Sequence, residues 1–241
     1  EQSVAWRLFF AILFVGAVVL IFGSASSDDN ALATTEVEGR TEERAELGPD
    51  PADPATTPAE TTTSFTLVAG GDVLIHESVA DSAATDDGFD FGPQLAAIAP
   101  TIRAADVAIC HLEVPISATN DDLAYYPAFR VPNQLGPALA GAGFDSCSVA
   151  SNHSLDAGEA GVASTLDQLD RAGVDHAGTT RSAEEAEQVT LLEAAPDVLV
   201  AHLSYTYGFN GTDVPADKPW LANKIDTERI LEDATGARTA G

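Results

Sequence analysis

The sequence predicts an α/β fold, three layers deep, with a parallel sheet covered by helices on both faces. Three observations predict it. Short apolar runs end in polar residues at 65–73, 106–113 and 145–153. Segments with helical spacing of apolar residues lie between them. Strands joined through helices of that length pair in parallel. Apolar residues make up 45% of the 241, enough for one sizeable core. A formal charge of −27, with no cluster of Lys or Arg to make a local exception, excludes nucleic acid as a partner.

Taken in order, the chain opens with an uninterrupted apolar run at 8–23, preceded by Trp6 and Arg7 and followed by acidic and small residues. Extended back to Val4, it is long enough for a transmembrane signal anchor over 4–23, and its length and small-residue flank also fit a cleaved signal peptide. A buried core helix is the third reading. Arg7 on one flank against Asp28 and Asp29 on the other puts the remainder of the chain outside the cytoplasm. Residues 24–64 are rich in Thr, Pro, Ala, Asp and Glu and contain no aromatic residue, so they predict a disordered, extended tether.

The globular part begins at Phe65, with a strand ending in Gly70, Gly71 and Asp72. From Pro93 a helix presents Leu95, Ile98, Ala99 and Ile102 on one face. A buried strand over 106–113 comes next, then a helix capped by Asn133 and ending near Gly143, then a strand over 145–153. Asp156 and Glu159 read as a capping box for a helix bearing Val162, Leu166, Leu169 and Ala172 and closed by Gly173. Beyond it lie a strand at 174–177, a brief helix at 183–187 and apolar runs at 189–194 and 198–205. The last helix starts at Asp226, with Ile225 and Ile230 spaced as a hydrophobic staple.

In open sheets of this kind reactive groups collect at the carboxyl ends of the strands. That filter selects Asp72, His111, Glu113, Ser151, Asn152 and His153, a set of hard oxygen and imidazole donors suited to Mg²⁺, Mn²⁺, Zn²⁺ or Fe. Each has a plainer reading: Asp72 as a turn residue, His111 as a strand-end histidine bonded to backbone, Glu113 as a solvated charge. Cys110 and Cys147 are either small buried apolar groups or a cross-strand disulfide. The stretch 205–210 reads either as a platform beside the site or as an aromatic lid on the core.

The blocks Gly71-Asp72-Val73, His111-Leu112-Glu113-Val114-Pro115, GAGFD at 141–145 and SVASNHSLDAG at 148–158 resemble the CapA family of capsule and poly-γ-glutamate synthesis proteins. So do GVDHAG at 173–178, LSYTYGFN at 203–210 and the closing 225–241. The resemblance implies a fold similar to calcineurin-like metallophosphoesterases over 65–241. It implies Asp72, Glu113 and Asn152 as ligands of a divalent metal ion and His153 as the catalytic histidine. His111 stands where the family usually has Asn, as an added ligand or a neutral replacement; His76 receives no ligand role. The family's later histidine blocks would follow Gly241, so the resemblance implies a chain cut short, with half its metal shell missing and weak or no activity.

The implied function is that of a membrane-tethered, extracytoplasmic protein of capsule or poly-γ-glutamate synthesis or export, with a phosphoesterase-like site and an anionic polymer or its synthesis and export machinery as partner. A non-catalytic polymer-binding or export scaffold and a general secreted metallophosphatase are the alternatives. With 27 acidic and 8 basic residues from Phe65 onward, contact with a polyanion would need bridging cations.

Overall fold

The computed structural model describes residues 18–22 and 63–240. The strand β1 (Val18–Phe22) comes first, then β2 (Leu67–Val73), α1 (Glu77–Ala83), the two-residue pair β3 (Ala84–Thr85) and β4 (Gly88–Phe89), α2 (Gly92–Leu95) and α3 (Ala99–Arg103). After β5 (Val107–Leu112) come α4 (Leu135–Ala142), β6 (Ser146–Ser148), α5 (Gly158–Ala172) and β7 (Asp175–Ala177). A hairpin of β8 (Thr190–Ala195) and β9 (Val198–Leu203) precedes α6 (Thr227–Ala240).

The parallel sheet runs β2-β5-β6-β7, as the alternation of strand and helix requires. β5 is buried throughout, and its side chains alternate between two cores. Ala108, Cys110 and Leu112 face the helical side with Leu139, Leu166 and Leu169, whereas Val107 and Ile109 pack on Leu192, Ala194 and Val200. The second face is therefore covered by another sheet, ordered β1-β9-β8, and the expectation of helices on both faces is corrected. The cause is local: only Pro196 and Asp197, the latter at φ 64°, separate β8 from β9, and a two-residue connection permits antiparallel pairing alone.

The apolar run at the start is corrected in its described part. Val18–Phe22 is a strand paired antiparallel with β9, Val18 opposite Leu203 and Phe22 opposite Leu199, and not the end of a transmembrane helix. The sequence VVLIF is rich in β-formers, and the edge of β9 satisfies its backbone groups. The rest of the span expected over 4–23 lies outside the described residues, as does the tether over 24–64 apart from Thr63 and Ser64, which are exposed coil. Among the described residues no helix is long and apolar enough to cross a membrane.

Helix starts differ from expectation at two places, and the expected staple on α6 is absent. Gly143 at φ 104° and Gly173 at φ 73° close α4 and α5 as the sequence suggests. Asn133 does not cap α4: its amide donates to the Ala118 carbonyl at 3.1 Å. Asp156 and Glu159 form no capping box, because α5 begins at Gly158 and the Asp156 carboxylate is engaged elsewhere. Asp226 does cap α6, accepting from the Arg229 amide at 2.9 Å, but Ile225 is 57% exposed and makes no staple.

One device ties neighbouring strands of the parallel sheet and another ties the two sheets together. A disulfide joins Cys110 on β5 to Cys147 on β6, residues directly opposite in the ladder, so the second of the two open readings holds. Closing a loop with a sequence separation of 37 removes denatured-state entropy worth about 4 kcal/mol in the chain-entropy picture. Between the sheets, His202 is 1% exposed, with its Nδ1 at 2.8 Å from Ser146 Oγ and its Nε2 at 3.0 Å from Ser148 Oγ. Burial, with smaller contributions from the His176 and His111 charges, pushes its pKa down to about 4. The unfolded chain takes up this proton near pH 6.5 while the folded chain refuses it, so stability is lost as pH falls from about 6.5 towards 4. Urea unfolding between pH 7 and pH 4 should show a loss on the order of 3 kcal/mol from this group. His202→Gln is expected to flatten that slope, and an unchanged slope would assign the acid sensitivity elsewhere.

Candidate functional site

The carboxyl ends of β2, β5 and β6 lie side by side. Asp72 pairs with His111 in register, and His111 with Ser148. Between Ala69 and Asp72, β2 carries one residue more than β5, an irregularity absorbed at Gly70 and Gly71 that brings Asp72 level with His111. His111 Nε2 and Asp72 Oδ1 stand 3.9 Å apart, with the histidine buried and the aspartate exposed. Burial lowers the His111 pKa, and the Asp72 charge opposes that shift. Glu113, two residues further on β5's path, has its pKa raised by burial and then by Asp72 and Asp156, with His153 acting in the opposite sense.

Beyond β6 the chain turns through hydroxyls. Ser154 Oγ accepts from the Ser151 amide at 2.7 Å and lies 2.7 Å from the Val149 carbonyl, while Ser151 Oγ accepts from the His153 amide at 3.1 Å. This turn presents Asn152 and His153. The His153 ring is partly buried and its Nδ1 lies 2.6 Å from Asp156 Oδ2. An ionised carboxylate only accepts, so Nδ1 carries the proton and Nε2 is left to exchange one. The same Asp156 oxygen accepts from the Phe129 amide at 2.8 Å. The Phe129 ring sits edge-on between two imidazoles, 4.9 Å from His153 and 5.3 Å from His76.

Asn210, at φ 51°, closes the site from above. Its Oδ1 accepts from Asn152 Nδ2 at 3.2 Å, and its Nδ2 lies 3.3 Å from His153 Nδ1 and 3.5 Å from Nε2. The segment carrying it is fastened to the start of α5 by Lys218 and Glu159, an exposed ion pair. Of the two readings of 205–210, Asn210 follows the first, reaching the site, while Tyr205 is a buried core residue whose hydroxyl donates to Asp233 at 2.6 Å.

Of the residues selected from the sequence, Asp72 thus faces His111, Asn152 and His153 are linked through Asn210, and Glu113 feels the charges of Asp72 and His153. Among the described residues no three His, Cys, Asp or Glu side chains are gathered closely enough to hold an ion as they stand. Yet His111 Nε2 and Glu113 Oε2 are buried with no hydrogen-bond partner, which is the condition of donors awaiting a ligand. The sequence reading missed Asp156 and Phe129, held Asn210 only as part of the 205–210 stretch, and gave His76 no role. Only Asp156 carried a usable signal, being three residues from His153 in an otherwise unexplained run of polar residues.

A cleft of about 660 Å³ lies away from this rim, beside β7, β8 and α6. Its cations are already committed: Arg181 bonds Asp167 at 2.9 Å and Asp170 at 2.6 Å, and Arg229 bonds Asp233 at 2.7 Å. Size alone therefore does not make it the better candidate.

The family model described as bacterial capsule synthesis protein PGA_cap matches residues 66–240. Two proteins of Sinorhizobium fredii (strain NBRC 101917 / NGR234), the uncharacterized proteins y4sH and y4uA, are each 34% identical over 137 residues. That alignment covers 54% of this chain and 28% of each relative, so the chain spans well under a third of their length.

Proposed function

Because the chain belongs to the bacterial capsule synthesis protein family PGA_cap, we propose that it acts outside the cytoplasm on a cell-surface polymer, hydrolysing a phosphoester or amide bond in capsule or poly-γ-glutamate production. The observation that carries this reading is the partly buried His153–Asp156 pair at 2.6 Å on the rim where Asp72, His111 and Glu113 also end. With Nδ1 donating to Asp156, Nε2 of His153 gives a proton to the leaving group. Asn210 and Asn152 supply amide hydrogens beside it that can hold a developing negative charge. A divalent cation taken up by Asp72, His111 and Glu113 would polarise the scissile group and bridge the acidic head to an anionic polymer. The buried disulfide supports an oxidising, extracytoplasmic location.

The absence, among the described residues, of three gathered ionisable donors favours a second reading, a polymer-binding scaffold without turnover. The two separate on one assay: the full chain incubated with a chromogenic phosphodiester and with poly-γ-glutamate, with and without Mn²⁺. Turnover that disappears in His153→Ala supports hydrolysis. Retention of the polymer on the protein with no turnover in any metal supports the scaffold.

A further inference from the structure

One imidazole on the rim is left without a duty. His76 follows β2, four residues after Asp72, and stands just ahead of α1. A polar side chain at that position ordinarily bonds the first turn of the helix, but the His76 ring makes no such bond. The residue is exposed, and its ring nitrogens bond no protein group among the described residues. What holds the ring is Phe129, which it meets edge-on with centroids 5.3 Å apart and planes at 83°.

That support is rigid. Phe129 is 2% exposed, and its amide donates to Asp156 Oδ2 at 2.8 Å, the oxygen that also holds His153 Nδ1. Its ring meets His153 at 86°. With centroids 5.3 Å and 4.9 Å from that of Phe129, the His76 and His153 rings lie at most about 10 Å apart. One residue thus sets the position of both imidazoles.

The surroundings offer an anion little else. Asp72, Glu113 and Asp156 are acids, Glu77 adjoins His76, and burial holds the His111 pKa below the ordinary imidazole range. Lys218 is bound to Glu159, and Arg130, next to Phe129 in the chain, to Asp122. An anchored, exposed ring whose N–H has no competing partner can give that hydrogen to a negatively charged oxygen.

We infer that His76 is a substrate-binding residue: its N–H donates to an anionic oxygen on a side group of the polymer, outside the bond that His153 acts on. The ligand class is a chain bearing a carboxylate or phosphate oxygen within about 10 Å of the reacting bond, the reach set by the Phe129 support. This rests on the surface-polymer reading proposed above and names the residue that reads the polymer's charge.

The test is calorimetric titration of the full chain, at fixed Mg²⁺ and ionic strength, with three oligomers. They are γ-linked glutamate, the same oligomer with its free carboxyls amidated, and glycerol phosphate. His76→Phe keeps an aromatic edge against Phe129 and removes the donor. It should weaken at least one anionic oligomer about 10-fold, the lower end for a hydrogen bond to a charged group. Which of the two is weakened tells carboxylate from phosphate. The amidated oligomer should change by no more than about twofold, as for a surface position that has lost no other partner. His76→Arg, which restores a donor, should recover most of the lost affinity. Where an oligomer is cleaved, the loss should fall on KM and not on kcat. Because the His76 nitrogens bond nothing in the protein, His76→Phe should unfold at the wild-type temperature, which separates lost binding from lost folding. Equal weakening of the amidated oligomer, no weakening of either anionic one, or a fall in kcat alone would overturn the inference while the polymer reading survives. Failure of the wild type to bind any of the three would overturn both, whereas binding without turnover removes hydrolysis alone.

Discussion

Replacing His153 by alanine is expected to abolish hydrolysis of a phosphoester or polymer substrate by the full chain, a fall of about 10²–10⁴ in kcat, the range for losing a positioned general acid. Asp156→Asn should reproduce part of that loss, about 10–10³ in kcat with KM nearly unchanged, because the carboxylate acts on the ring and not on the substrate. The two residues are separable in a second way. Asp156 also accepts from the Phe129 amide at 2.8 Å, so Asp156→Ala should open the segment around Phe129 to limited proteolysis, whereas His153→Ala, and Asp156→Asn with its remaining acceptor oxygen, leave that bond in place. Equal activity in wild type and His153→Ala would remove His153 from the chemistry and with it the hydrolytic reading.

The largest effect on stability is expected at Gly178, which lies at the exit of β7 with φ 119°. A Cβ there would stand 2.6 Å from both the backbone nitrogen and the Cβ of Ala150, and 2.9 Å from Ser204 Oγ. Ala150 is fully buried and Ser204 is 2% exposed, so neither can withdraw. Strain from the disfavoured φ and overpacking each cost about 1–3 kcal/mol, and Gly178→Ala should therefore destabilise by about 2–6 kcal/mol in urea unfolding. Gly173→Ala is the control. Its φ is 73° but nothing lies within 4 Å of the added atom, so only the backbone strain of about 1–2 kcal/mol applies. Equal costs at the two positions would mean that the close approach of the β7 exit to Ala150 is not tight. Because Ala150 immediately precedes Ser151, Asn152 and His153, the Gly178 variant that does fold should also disturb the site.

The rim itself was legible in the sequence. Asp72, His111 and Glu113 each end an apolar run, and a run bounded by a polar residue reports both a strand and its mouth. The family resemblance picked the same positions from motif spacing. What the sequence did not reveal is what depends on partners distant along the chain. Asn210 reaches Asn152 across 58 positions, and nothing in its neighbourhood distinguishes it from a turn residue. Asp156 was misread because an acid three positions before Glu159 satisfies a local capping rule, and a 2.6 Å bond to a partly buried imidazole outcompetes that rule. The VVLIF run fits a bilayer span and a buried strand equally well on composition, and pairing with β9 is decided by an edge that exists only once the second sheet has formed. The second sheet was missed although its two runs were found, since the turn at Pro196 and Asp197 was not weighed as a constraint on direction.

The cysteine bridge lies one residue before His111 on β5 and one residue before Ser148 on β6. It fastens two neighbouring members of the rim by a covalent bond, so their spacing does not depend on the ladder's breathing. The freedom that would otherwise be lost when a ligand first binds is already gone once the thiols have been oxidised, leaving the incoming molecule a preformed surface and a smaller entropic barrier. Oxidation of the two thiols thereby becomes the step that readies the rim.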